Sequence, residues 1–365
     1  MSRFRVPFGS PAPREDAAAI RAAIDRVVGS GWFILGPEVA AFENEFAAAC
    51  GAAHAVGVGT GTDAIALILR GLDIGPGDEV ITTPLSAAYT ALAVMMTGAR
   101  PVFADIDGER LTLDPAAVES AVTSRTRAIL PVHLYGQAAD MEPLASIASR
   151  HGLALVEDAC QAHLSTAAGR PVGTIGVAGA FSFYPTKNLG ALGDGGAIVT
   201  NDASLAARLK RLRNGGQSDR YHHVEFGINS RLDEMQAAIL RARLPYLAEW
   251  TKTRRALAGA YRAALAGAST HVPREFDAGH VYHLFVVRTE QREKLQQHLA
   301  ADGIETLVHY PVPIPRQPAL ASQNPAECPS ANRACDEVLS LPLHPGLATS
   351  DIATVATSLG RFLEA

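Results

Sequence analysis

The chain has 365 residues, 48% of them apolar and 19% charged, with a formal net charge of −5. That length admits two domains, or one large domain with an appendage, and the apolar share is enough to bury a substantial core. A mildly acidic balance excludes a general nucleic-acid binder, which carries a basic face, but leaves room for a local basic pocket that takes a phosphorylated small molecule.

The four cysteines, Cys50, Cys160, Cys328 and Cys335, include no CxxC pair. In so long a chain they read as reduced thiols of a cytoplasmic protein. The opening MSRFRVPFGSPAPRED has no apolar signal-peptide core. No run reaches the roughly 18 uncharged apolar residues of a membrane helix. The expectation is a cytoplasmic protein with neither membrane nor nucleic acid as partner.

Strands and helices alternate through the first two thirds. AVGV at 55–58 is a short strand, GTGTD follows, and AIALILRGL reads as a helix. DEVITTP at 78–84 is a strand that stops at Pro84, and further strands are expected at 101–107, 126–136 and 153–160. MEPLASIASRHG at 141–152 is helix-like, and glycine-rich strands follow at 179–184 and 195–200. A long amphipathic stretch covers 230–265, where Pro245 should kink or break the helix. After about residue 250 the texture changes: 280–289 reads as a strand, 293–304 as a helix and turn, and 309–318 as a proline-rich loop. The pattern predicts an α/β fold with a mostly parallel sheet over 1–249 and a smaller α+β domain over 250–365.

In such sheets ligands gather at the carboxyl ends of strands, and three features fall there. The first is GVGTGTDA at 57–64, a strand end, a Gly/Thr loop and a helix start that suit a phosphate. It is neither a Walker loop nor GxGxxG, since Thr62 stands at the third glycine, and a plain helix cap at Thr60 or Thr62 is the alternative. The failed glycine fingerprint also argues against a nicotinamide enzyme. The second is LALVEDACQAH at 153–163, a strand ending in Glu157 and Asp158. Neighbours in a strand point to opposite faces, so Asp158 and Cys160 share one side. A carboxylate there is costly to bury without a cation, with a helix cap or surface acid as the plain alternative. Metal ligation by Asp158, His163 and Glu157 fits no standard spacing, and no metal is expected. The third is GAFSFYPTK at 179–187, an aromatic strand leading to Lys187. A lysine among apolar groups loses basicity and becomes a usable amine nucleophile, whereas a lone lysine more often snorkels to water.

Together the phosphate cradle, the strand-end aspartate and a lysine 29 residues further on describe what pyridoxal 5'-phosphate (PLP) demands. The lysine forms a Schiff base, the aspartate keeps the pyridine nitrogen protonated, and the cradle holds the phosphate.

The segments GPEVAAFENEFA, GTGTDAIAL, GPGDEVITTP, PVFADID, PVHLYGQAADM, VEDACQAH, FSFYPTKNLGALGDGG and GINSRLDEMQAAIL occur in this order along nearly the whole chain. In this the sequence resembles the DegT-type, or StrS-type, sugar aminotransferases of the aspartate-aminotransferase fold. The resemblance implies that Lys187 is the Schiff-base lysine, Asp158 the partner of the pyridine nitrogen and Gln161 the partner of the ring hydroxyl. It makes Thr60, Gly61, Thr62 and Ser182 phosphate contacts, and Asn229 a phosphate contact supplied by the neighbouring subunit of a homodimer. Many members stack an aromatic residue on the cofactor ring where this chain has Ser86 and Ala87, so Tyr89 is the nearest candidate. Tyr184, His309 and Tyr310 are candidates for the sugar pocket, the last two with a proline-braced turn as alternative. Arg231 is a candidate fork for a carboxylate or phosphate, or else an ion-pair partner of Asp233 or Glu234. The basic segment 210–223 would meet a substrate diphosphate or stay a solvated loop.

The activity implied is transfer of an amino group from glutamate or glutamine to a nucleotide-linked keto-deoxysugar. A keto-cyclitol aminotransferase has the same chemistry. A PLP-dependent sugar dehydratase is set aside because such relatives carry histidine at the lysine position. A non-enzymatic regulator would be expected to lose Lys187 or Asp158.

Overall fold

The computed structural model describes residues 4–266, 271–323 and 327–364. Its centre is a seven-stranded sheet, with β1 His54–Val58, β2 Glu79–Thr82, β3 Arg100–Phe103, β4 Thr126–Leu130, β5 Ala154–Asp158, β6 Ala178–Ser182 and β7 Gly196–Thr200. The spatial order is β1-β7-β6-β5-β4-β2-β3. Every pairing from β6 to β3 is parallel, while β7 runs antiparallel to both β6 and β1. Each strand expected from the sequence in this region is present, and the glycine-rich pair at 178–200 forms the antiparallel corner.

The sheet is covered on both faces, as its near-continuous apolar strands require. On one face lies the helix Gly61–Gly71, whose Ile65, Ile68 and Leu69 pack with Val56, Val80, Val156 and Ile198. On the other, Phe42 and Phe46 of the helix Pro37–Cys50 meet Phe181 and Phe183 edge-on, with ring centroids 5.2–5.3 Å apart. Pro37 opens that helix, where a missing N–H costs nothing, and Gly51 closes it at φ 67°, a left-handed conformation glycine adopts without strain.

The stretch 230–265 is broken at Pro245 as expected. A helix Glu234–Arg243 ends, a 3₁₀ turn spans Leu244–Tyr246, and a helix Leu247–Ala264 begins. The expected boundary at 249/250 falls inside this second helix. Its Leu247 packs in the core under Phe42 and Phe183. Its Leu257, Ala258 and Tyr261 belong to another core, with Phe285, Leu295, Leu339 and Leu341. There β8 Phe285–Arg288 and β9 Val338–Leu341 pair antiparallel. Val6 joins the same core through a bridge to Ile304, so the N-terminal segment runs along the C-terminal half. A further cluster, including Leu85, Phe103, Tyr135, Leu284 and Cys335, is drawn from both halves of the chain. All four cysteines are free. Among the described residues no helix is long and apolar enough to cross a membrane.

Candidate active site

Strand β5 delivers two adjacent carboxylates to opposite faces, and their surroundings give them opposite tasks. Glu157 is fully buried. Its Oε1 accepts from the backbone N–H groups of Ile175 and Gly176 at 2.8 and 2.7 Å, and its Oε2 from Gly173 N at 2.7 Å. His133 completes the set: its Nδ1 accepts from Ala139 N at 3.1 Å, so Nε2 carries the proton, 3.0 Å from Glu157 Oε2. Glu157 therefore holds a turn and has no capacity left. Asp158 is 4% exposed. Its Oδ2 accepts from Thr90 Oγ1 at 2.8 Å and its Oδ1 from Cys160 N at 3.1 Å. Both donors are neutral, and no cation among the described residues forms an ion pair with it. A carboxylate is left that favours a further, charged donor.

Lys187 follows β6 in a tight turn, with its N–H bonded to Tyr184 O at 2.8 Å. Its side chain is partly buried, and among the described residues its Nζ makes no hydrogen bond or ion pair. Burial lowers its pKa, while Cys160 and Asp158 act to hold it up. Three imidazoles surround it from separate segments. His163 stands against Phe181 and Phe183, with ring centroids at 5.6 and 5.7 Å. His283 has Nδ1 3.3 Å from Asn188 Oδ1, and His309 stacks on Phe8. Burial, and then Lys187, pushes His163 down to about 3 and His309 to about 4, and lowers His283 as well. Burial thus favours the neutral form of all three imidazoles, and Asp158 is the anionic group that acts on the lysine.

The cradle is built where the helix Gly61–Gly71 starts. Thr60 is its N-cap, its Oγ1 accepting from Asp63 N at 3.0 Å, so the cap reading holds for Thr60. A Cβ at Gly61 would lie 2.7 Å from Cys160 Sγ and 2.8 Å from Ser182 Cβ. A Cβ at Gly196 would lie 2.4 Å from the carbonyl of Thr60. Glycine is thus required at both positions, and Gly61, Ser182 and Cys160 converge beside the helix N-terminus. Ser230 Oγ accepts from Gly59 N at 2.9 Å and donates to Asp63 Oδ2 at 2.8 Å, fixing the loop from behind. An unpartnered amine, a buried carboxylate lacking a cation and a glycine cradle at a helix N-terminus fit PLP in charge and in donor set.

The remaining candidates fall into two groups. Gln161 and Tyr310 lie together: Gln161 Oε1 accepts from Tyr135 N at 2.9 Å and its Nε2 donates to Tyr310 OH at 3.1 Å. Burial pushes the Tyr310 phenol up to about 12. His309 Nδ1 is 2.9 Å from Ser340 Oγ, and its carbonyl accepts from Tyr135 OH. Tyr184 is 53% exposed and lines a cavity of about 330 Å³ with Lys187, Phe8 and His309. Tyr89 heads the helix Tyr89–Met96 and is 64% exposed. Thr62 is half-buried in the first turn after Gly61.

Asn229 and Arg231 lie outside this group. Asn229 pairs in the backbone with Asn214 and is exposed. Arg231 donates to Asn214 Oδ1 at 3.1 Å. Among the described residues it forms no ion pair with Asp233 or Glu234. The Glu234 carboxylate is instead taken by the backbone N–H groups of Gly36, Glu38 and Val39. In the basic segment, Lys210 and Arg213 pair with Glu43, and Arg211 with Glu225. Most of its charge is therefore already neutralised.

Sequence reasoning missed Thr90, Tyr135, His283, Arg254 and His344. Thr90 carried a weak signal, since it follows the proline that ends β2, where the chain must cross the carboxyl edge of the sheet.

Residues 14–360 match the model of the DegT/DnrJ/EryC1/StrS aminotransferase family. The Streptomyces venezuelae protein named dTDP-3-amino-3,4,6-trideoxy-alpha-D-glucose transaminase is 50% identical over 369 residues, which cover 99% of this chain and 97% of that one. The crystal structure of S. venezuelae DesV in complex with a ketimine intermediate superposes with a TM-score of 0.97 at 50% identity, covering 99% of both chains. The structure of NtdA from Bacillus subtilis with bound cofactor PMP gives a TM-score of 0.93 at 31% identity, over 99% of this chain and 86% of that one.

Proposed function

Because the chain belongs to the DegT/DnrJ/EryC1/StrS aminotransferase family, and so is a PLP-dependent aminotransferase, we propose that its acceptor is the keto group of a nucleotide-linked deoxysugar and its donor glutamate or glutamine. The observation that carries the reading is Lys187. Among the described residues it is an amine of lowered basicity with no hydrogen bond or ion pair of its own, at the wall of a cavity and beside a buried carboxylate.

Bound there, the cofactor supplies an aldehyde for an amine and a ring that draws electrons from the carbon next to that nitrogen. Asp158 holds the proton on the ring nitrogen, since it has two neutral donors and accepts a charged one readily. Thr60, Gly61, Thr62 and Ser182 hold the phosphate, where backbone N–H groups and the helix dipole favour an anion. Gln161 is assigned to the ring hydroxyl, and the exposed ring of Tyr89 is the candidate to cover the cofactor's face. Lys187 Nζ acts first as nucleophile. Once released, it takes the proton from the donor's α-carbon, and in the second half of the cycle it returns one to the sugar carbon that receives nitrogen. Tyr184, His309 and Tyr310 border the sugar, and Arg231 is a candidate fork for a carboxylate or phosphate.

Two copies share the site in this reading. Asn229 is exposed, its side chain makes no hydrogen bond among the described residues, and it adjoins Ser230, which is tied to the phosphate loop. Trp32, Phe33, Tyr221 and Phe226 are large apolar side chains left exposed, as suits a surface covered by a partner. The division into a cofactor-binding part up to about residue 249 and a smaller C-terminal part rests on the separate core around Tyr261 and Phe285. A cytoplasmic location accords with the four free thiols.

The test is a half-reaction. The protein is loaded with the amino form of the cofactor and offered dTDP- and UDP-linked keto-sugars beside keto-cyclitols, and return of the aldehyde-form absorbance is followed. Nucleotide-linked ketones should react and free cyclitols should not. A response to cyclitols alone would replace this acceptor by a carbocyclic one.

A further inference from the structure

The cavity that holds Lys187 also holds a buried cation without an anion. Arg254, on the helix Leu247–Ala264, is 6% exposed. Its Nη1 donates to the carbonyls of Tyr282, His283 and Leu343 at 3.2, 3.4 and 2.9 Å. Its Nε is buried with no hydrogen-bond partner, and among the described residues no hydrogen bond is made by Nη2. No carboxylate among them forms an ion pair with Arg254. Arg243, on the same cavity wall, shows the ordinary solution, with its Nε 2.9 Å from Asp16. A buried guanidinium is normally paired, because the loss of hydration is otherwise uncompensated.

A second donor without a well-formed hydrogen bond lies beside it. His344 is 8% exposed, and its Nδ1 accepts from Gly346 N at 3.2 Å. The ring proton is therefore on Nε2; that atom is buried and makes no well-formed hydrogen bond, with the Pro7 backbone nearby favouring its proton only loosely. Arg254 acts on both His344 and His283, and Lys187 acts on His283 as well. The lysine and the arginine thus both lie within electrostatic reach of the His283 imidazole. Arg254, His344, His283 and Lys187 all line the same 330 Å³ cavity.

We propose that Arg254 and His344 form a carboxylate subsite that seats the amino-acid donor with its nitrogen toward Lys187. The missing partner is a small planar anion, which the arginine fork and the imidazole N–H match in number and kind of donor. The volume lies at the lower end of ligand pockets, enough for an amino acid and too small for a whole nucleotide sugar. Donor and acceptor then take turns at Lys187 while their anionic groups rest in different places, the acceptor's diphosphate toward solvent and the donor's carboxylate inside. This inference rests on the aminotransferase reading but not on the identity of the acceptor.

The test is binding rather than turnover. The holoenzyme is titrated with glutarate, inorganic phosphate and dTDP by calorimetry, with Trp250, which lines the cavity, as a fluorescence reporter. Arg254→Gln removes the cation. His344→Asn keeps an acceptor for Gly346 N, drops the Nε2 donor and leaves the Arg254 backbone bonds alone, so it reports on the subsite even if the arginine variant folds poorly. Glutarate should bind the parent saturably and compete with glutamate. In either variant its affinity should fall by about tenfold or more, with phosphate and dTDP unchanged. Unaltered glutarate binding in His344→Asn and in a folded Arg254→Gln overturns the proposal, as does selective loss of phosphate or dTDP binding instead. Glutarate binding that behaves as stated in a protein that aminates no nucleotide sugar would sink the acceptor assignment and leave the subsite standing.

Discussion

Thr90 Oγ1 donates a 2.8 Å hydrogen bond to Asp158 Oδ2, joining residues 68 apart in the chain. Among the described residues it is the one hydroxyl donor on the carboxylate assigned to the cofactor's ring nitrogen; the backbone N–H of Cys160 also donates, and the Cys160 thiol adjoins the same group. Thr90→Val keeps the shape and removes the hydroxyl. A hydrogen bond to a charged group contributes about 1.5–3 kcal/mol, so the cofactor's affinity for the apoprotein should fall by roughly ten- to a hundredfold, and Thr90→Ser should restore most of it. An absorbance titration decides; a Thr90→Val protein that titrates like the parent would remove Thr90 from the site.

The paired carboxylates of β5 should respond in opposite ways. Asp158→Asn should lower kcat by at least about a hundredfold and leave the melting temperature nearly unchanged. Glu157→Gln replaces an acceptor of three backbone N–H groups by an amide that is itself a donor. It should destabilise the fold by about 2–4 kcal/mol, read by urea unfolding, whereas the activity of the folded fraction survives. Equal effects on stability would contradict the division of roles.

Lys187 makes a prediction about pH. Its native pKa is lowered below the roughly 10.4 of an unfolded lysine. Between those values the unfolded chain holds a proton that the native one lacks, so stability rises with pH across that window. Below the native pKa the cost of a buried ammonium is carried in full. Lys187→Met removes that cost. The cofactor-free variant should melt higher than the cofactor-free parent at pH 7, with the gap closing as pH rises toward 10.4. A gap that stays constant with pH would show that the ammonium is not desolvated. The same variant should give no borohydride-trapped adduct at this position.

Gly61→Ala places a methyl group 2.7 Å from Cys160 Sγ and 2.8 Å from Ser182 Cβ. Overpacking of this kind costs about 1–3 kcal/mol. The variant should lose that stability in urea and also release cofactor more readily, because the wall that moves is the phosphate cradle. Normal cofactor retention would place the phosphate elsewhere.

Much of this architecture is legible in the chain because it is local. The strand ending in Asp158, the Gly/Thr turn into a capped helix at Thr60, and the break at Pro245 each depend on a few adjacent residues whose geometry is dictated by backbone sterics and alternation. What could not be read is what depends on tertiary closure. Thr90, Arg254 and His344 belong to ordinary helical or loop patterns, and their significance appears only when segments far apart in the chain meet. Arg231 shows the converse: its acidic sequence neighbours suggested an ion pair, but Glu234 is claimed by the backbone of residues 36–39.

The helix Leu247–Ala264 is seated at its start, through Leu247, with Phe42 and Phe183, and toward its end, through Tyr261, with Phe285. It therefore works as an axle between the sheet that bears Lys187 and the strands that carry the opposing wall. An axle transmits phase. One extra residue between Leu247 and Leu257 would turn everything beyond it by about 100°, carrying His283 and the Tyr310 loop out of alignment with the lysine. Exchanging a side chain on this span alters one contact, whereas changing its number of residues alters the register of every contact beyond it.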